Sequence, residues 1–78
     1  MSRYFFHVID GPDQLDGEGT ELPDMAAVRS EALRTAGAIV GSEDADFFRD
    51  HPWQMSVVDE TGATVYSLHF EAREYPLN

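Results

Sequence analysis

Two histidines, His7 and His69, stand at positions of the same parity in two stretches that alternate apolar and polar residues. Residues of one parity on a strand project from one face of a sheet. Were the two strands neighbours in register, the rings would approach one another, and Glu71 shares their parity. Two imidazoles and a carboxylate can hold zinc or another divalent ion. His7 and His69 are therefore the candidate metal ligands. The ligand types are right but carry no diagnostic spacing, and the alternative is two unrelated imidazoles on a half-wet sheet. His51, beside Pro52, reads as a loop residue with no partner to name.

The segment holding Asp10, Asp13, Asp16, Glu18 and Glu21 is acidic enough to raise calcium. It departs from an EF-hand: the oxygens recur every third residue instead of every second, and glycine is not at the sixth position. Turn chemistry, with Asp side chains accepting from nearby amides, is the expected role. Catalytic signatures are missing. The chain has no Cys and no Lys. It lacks a Gly-x-Ser-x-Gly elbow and a phosphate-cradling loop that ends in Lys. Carboxylates are plentiful, but a catalytic pair needs a cleft to perturb its pKa. No enzyme and no cofactor are expected.

Charge narrows the partners. Fifteen acidic residues against five basic ones give a net charge of −10. The basic residues, Arg3, Arg29, Arg34, Arg49 and Arg73, are scattered and form no stripe that tracks phosphates, so no nucleic acid is expected. No apolar run is long enough to span a membrane, and the N-terminus does not read as a signal peptide. The expected compartment is the cytoplasm. At 78 residues the chain has room for one domain, 1–78, with one small core. Disulfides are excluded, so self-association or another protein is the expected stabiliser.

The elements that must position these groups follow from periodicity. Tyr4, Phe6 and Val8 share one parity; so do Trp53, Met55 and Val57, and again Tyr66, Leu68 and Phe70. Strands are predicted over 3–9, 53–59 and 64–71, with these side chains lining one face. Asp10-Gly11-Pro12-Asp13 is a turn. Residues 14–20 form a short return strand at a sheet edge, weakened by Gly17 and Gly19. Asp24 caps a helix from Met25 to about Val40. Its inner side carries Met25, Val28, Ala32, Leu33, Ala36, Ile39 and Val40, and Gly41 is a left-handed stop. Ala32 and Ala36 let it sit close to the sheet. A short helix follows from about Ser42 to Asp50, tucking Phe47 or Phe48 onto the core. Asp59-Glu60-Thr61-Gly62 joins the last two strands, with Gly62 at positive φ. The class is α+β: an antiparallel sheet of three to four strands with one long helix, plus the short one, on one face, in the order β-β-α-(α)-β-β.

The reverse face is mixed: Arg3, Phe5, His7 and Ile9, then Gln54, Ser56 and Val58, then Val65, Ser67 and His69. A face open to water in a lone domain is usually more polar than this. Phe5, Ile9, Val58 and Val65 are the candidate interface, most simply of a symmetric homodimer.

Two blocks carry a family resemblance. They are Arg3-Tyr4-Phe5-Phe6-His7-Val8 with Asp10-Gly11, and Asp16-Gly17-Glu18-Gly19-Thr20-Glu21-Leu22-Pro23-Asp24 running into Ala26–Arg34. With Val57-Val58-Asp59-Glu60-Thr61-Gly62 they resemble a family of small bacterial proteins known as a domain of unknown function. That resemblance covers nearly the whole chain and implies no activity, cofactor or catalytic residue. At the level of fold alone the chain also looks like the HicB antitoxins, which open with a hairpin followed by an Ala/Glu-rich helix. It lacks their usual glycine-cysteine turn and a separate DNA-binding tail. The expected function is a non-enzymatic protein-interaction or regulatory module acting as a homodimer. The alternative is a small metal- or ligand-binding protein using His7 and His69.

Overall fold

The computed structural model describes residues 1–9, 13–42 and 52–77, with only the backbone of Asp13 and Gln14. The expected turn residues Asp10–Pro12, the expected short helix with Phe47 and Phe48, and His51 lie outside the described residues.

Among the described residues, five strand segments and one helix run in the order β1 (Ser2–Ile9), β2 (Asp13–Gln14), β3 (Thr20–Leu22), α1 (Met25–Gly41), β4 (Trp53–Val58) and β5 (Thr64–Phe70). All pairings are antiparallel, and the sheet order is β2-β1-β4-β5, with β3 also on β1. β2 and β3 thus share one edge of β1, and the sheet has four strand positions. The architecture is the α+β class expected.

Cross-strand register explains the core. Phe6 faces Val57, which faces Tyr66; Val8 faces Met55, which faces Leu68; Trp53 faces Phe70. The three alternating sets therefore do share one face. Val8, Trp53, Met55 and Val57 are buried, and Tyr4, Phe6, Tyr66, Leu68 and Phe70 pack around them half-buried. Helix α1 closes this side with Val28, Ala32 and Ala36, all fully buried. Alanine at two of these three positions brings the helix axis close to the sheet, so the contact is a narrow stripe. Leu33 lies off that stripe and is 55% exposed, contrary to its expected place on the inner side.

The helix starts as the sequence predicts, with the Asp24 carboxylate accepting from the Ala27 amide at 2.9 Å. It ends differently. Gly41 lies inside the last turn without positive φ, and the cap is Ser42, whose amide and hydroxyl both donate to the Ile39 carbonyl. Amide and hydroxyl of Ser42 together satisfy this carbonyl at the helix end, so no left-handed residue is required.

The β4–β5 turn does use one. Gly62 has φ +88°, its amide donates to the Asp59 carbonyl, and the Asp59 amide donates to the Ala63 carbonyl. This is a three-residue loop closed by a left-handed glycine. One irregularity follows it. Val57 pairs with Tyr66 but Val58 pairs with Thr64, so Val65 is an extra residue in a β-bulge.

Candidate functional site

The expected return strand 14–20 is broken into β2 and β3, and the break, Leu15–Gly19, organises the edge of the sheet. Asp16 is its centre. Its carboxylate accepts from the amides of Phe6 (3.2 Å), Glu18 (3.1 Å) and Gly19 (3.0 Å), and its own amide donates to His7 Nδ1 at 3.0 Å. The Phe6 amide, on the β1 edge between β2 and β3, is thus satisfied by a side chain in place of a strand carbonyl. His7 is held at Nδ1, which sets the proton of the neutral ring on Nε2. The acidic segment therefore does turn chemistry through Asp16, as expected from its composition. Arg3 steadies the other end, donating to the Glu18 carbonyl at 2.8 Å and pairing with Glu21 at 3.4 Å.

Burial pushes the Asp16 pKa up. The three amides and the nearby His7 ring together overcome that and hold it below the ordinary aspartate value of 3.8. A folded-state pKa below the unfolded one stabilises the fold at every pH above 3.8, and the contribution disappears as pH falls through the folded value. Asp16→Asn is expected to flatten the acid limb of a stability-versus-pH curve below that value. Asp16→Ala is expected to cost about 2 kcal/mol at neutral pH, since three amides lose a charged acceptor. Urea melts at stepped pH check both. An acid limb identical to wild type in Asp16→Asn would remove the carboxylate from this account. Asp59 is lowered as well, chiefly by the Thr61 hydroxyl, so the same series on Asp59→Asn separates the two groups.

The candidate metal ligands are not brought together. β4 lies between β1 and β5, so His7 faces Ser56 and then Ser67, while His69 faces Gln54 and then Ile9. Two strand spacings and a two-residue offset place the pair about 12 Å apart at Cα. Each ring has a local partner instead: the Asp16 amide for His7, and the Ser67 hydroxyl, 3.2 Å away, for His69. Glu71 pairs with Arg73 at 3.2 Å. Among the described residues no group of three or more His, Asp or Glu side chains is arranged to hold a metal.

The candidate interface residues divide. Phe5 and Val58 are direct cross-strand partners on the face away from α1, and Ile9 lies on the same face at the other end of β1, opposite Gln54. All three are half-buried. Between them runs the polar row His7, Ser56 and Ser67. Val65 is corrected: the bulge turns it to the helix side, where it packs against the core and lines an open groove with Ser2, Tyr4, Asp59, Glu60 and Thr61. Sequence alternation has no signal for such a one-residue insertion. In the groove, Asp59 is engaged by its own turn and Glu60 accepts from the Arg3 amide at 3.0 Å.

Gly19 is the residue that sequence reasoning undervalued. Its φ is +74°, and an added Cβ would stand 2.8 Å from Arg3 Cγ and 2.8 Å from Phe5 Cε1. The Gly19 end of the segment therefore lies against the Arg3 and Phe5 side chains on the outer face. An acidic Asp-Gly-Glu-Gly run after a strand is a readable loop signal, but nothing in it shows which face the loop crosses.

No curated protein and no solved structure matches this chain. The fold-level likeness to HicB antitoxins has no counterpart in these comparisons. One family model does match, over residues 3–71, and it takes in the helix and every strand described above except for Ser2, the first residue of β1. The chain belongs to that family, DUF6894, a domain of unknown function.

Proposed function

We propose that the chain is a non-enzymatic interaction module that works as a homodimer joined through the sheet face away from α1. One observation carries the reading: along β1, β4 and β5 this face carries no carboxylate, and the nearest one, Glu21 at the β3 edge, is paired with Arg3. β1, β4 and β5 contain no Asp or Glu at all, although the chain has fifteen. These three strands form a carboxylate-free plate inside an acidic rim, with Arg3 their one charged residue, tied to the β3 edge. Two copies of a chain with a net charge of −10 repel one another, and the plate is where they meet with least repulsion. Phe5, Val58 and Ile9 supply apolar contact, and the His7-Ser56-Ser67 row supplies hydrogen bonds across a two-fold axis. The small core adds a motive, because a domain of this size gains stability from association.

Light scattering on the purified protein is expected to give twice the chain mass of 8.7 kDa. Phe5→Asp places a charge in the contact and is expected to return the monomer. Because Phe5 also supports the Gly19 loop, Ser56→Asp is the companion variant: it adds a carboxylate at the centre of the face and removes no apolar group. A wild-type monomer, or a dimer unchanged in a folded Ser56→Asp protein, overturns the reading.

A further inference from the structure

The two edges of the sheet are built differently. The β1 edge is occupied by β2 and β3, segments of two and three residues, broken by the Asp16 loop and carrying Asp13 and Glu21. Short segments, irregular backbone and charge are the devices that keep an edge from pairing with another chain. β5 has none of them along most of its length. It is seven residues long, holds no charged residue and no proline, and its one irregularity is the bulge at Val65. β4 pairs with one side of it, and among the described residues no strand pairs with the other.

We infer that the free edge of β5 accepts an extended segment of a basic partner protein as an added antiparallel or parallel strand. Strand addition draws affinity from main-chain hydrogen bonds and specificity from alternate side chains. Here Tyr66, Leu68 and Phe70 are half-buried on the helix side of the edge strand and offer an apolar ledge to alternate residues of the incoming segment. Ser67 and His69 are exposed on the other side. The charge at the two ends selects the partner. Asp59 precedes β5, and Glu71 and Glu74 follow it, with Arg73 already paired to Glu71; Glu60 reaches the other way, to the Arg3 amide of β1. The ligand is therefore a segment with alternating apolar residues and Lys or Arg between or beside them. A second copy is disfavoured at this edge, because antiparallel pairing of two β5 strands about Ser67 runs Glu71 and Glu74 of one copy beside Asp59 of the other.

The test is fluorescence anisotropy of a labelled peptide of alternating valine and lysine, titrated with the intact protein. Saturable binding is expected, weakening about tenfold as salt rises from about 0.05 to about 0.5 M. The same peptide N-methylated at each valine loses the main-chain donors of one edge, and an alternating valine-glutamate peptide reverses the charge; neither is expected to bind. The exposed-tail variant Glu71→Lys/Glu74→Lys and the ledge variant Leu68→Lys are each expected to weaken binding about tenfold, equivalent to one decade in Kd. Equal binding of the methylated peptide reduces the interaction to surface charge and overturns the proposal. Wild-type binding by Leu68→Lys does the same, as does a dimer that Leu68→Lys converts to monomer. The titration is repeated on Ser56→Asp protein, where binding is expected to persist, so failure at the edge and failure at the sheet face are read separately.

Discussion

Alanine at position 19 is expected to lower the stability of the domain by about 2–3 kcal/mol, combining left-handed strain with a steric clash. Two independent effects add. Gly19 has φ +74°, a region that glycine enters freely and that a residue with a Cβ enters at a cost of about 1 kcal/mol. The new methyl would also sit 2.8 Å from both Arg3 Cγ and Phe5 Cε1 and 3.0 Å from Phe5 Cδ1. Neither neighbour yields easily: Arg3 is bonded to Glu18 and Glu21, and Phe5 sits in the middle of β1 opposite Val58. Relief by shifting the loop would break the Gly19 amide bond to Asp16, which also supports Phe6 and Glu18. Gly17 is the internal control, since a Cβ there meets nothing within 4 Å and its φ is not left-handed. Gly17→Ala is expected to be neutral or slightly stabilising, by up to about 1 kcal/mol. In urea, Gly19→Ala should move the unfolding midpoint down by about 1–2 M, given the slopes typical of small domains. Equal midpoints for the two variants would mean that the loop does not lie on Phe5.

This loop also marks the boundary of what was legible from residues alone. Period-two alternation located β1, β4 and β5 because each strand buries one face under the helix, and burial writes itself into residue type. The Asp24 cap and the Val28-Ala32-Ala36 spacing did the same for α1. What alternation does not encode is order. Placing β4 between β1 and β5 separates His7 from His69, and both histidines look the same in the sequence whichever strand lies between them. The break at Leu15–Gly19 was hidden for a related reason: a side chain, Asp16, replaces the ladder partner of Phe6, so the edge bends without losing its hydrogen bond. Val65 changed sides through a single inserted residue. Leu33 fits a wide helical stripe on spacing alone, whereas the alanines narrow that stripe by letting the backbone approach.

The outer surfaces follow from the same economy of charge. Every carboxylate lies outside the three long strands, and the one charged residue within them, Arg3, is tied to the β3 edge. An acidic rim repels like molecules from every side except the plate, and the acidic ends of β5 turn a second copy away from that edge as well. On the two proposals made above, the rim leaves two approaches of different character, one broad and offered to a copy of the chain, the other linear and offered to a basic strand.

The largest effect of a single truncation is expected at Trp53. Its side chain is completely buried at the start of β4, facing Phe70 across the ladder in an edge-to-face contact with ring centroids 5.6 Å apart. Trp53→Ala should cost about 3–5 kcal/mol, the range for removing a buried aromatic and leaving its cavity. That is a large share of the stability of so small a domain, so the variant is expected to be largely unfolded at 37 °C by circular dichroism. Trp53→Phe separates volume from polarity. The indole N–H is buried and meets no acceptor among the described residues, and an unmet buried donor costs about 1–3 kcal/mol. Phenylalanine removes that donor while keeping most of the contact with Phe70. Its cost should therefore be much smaller than that of alanine, about 1 kcal/mol or less once the two effects offset. Chemical denaturation of both variants measures the difference directly. A Trp53→Phe protein as unstable as Trp53→Ala would show that the indole nitrogen is bonded in solution, and that the end of β4 is held by a polar contact as well as by packing.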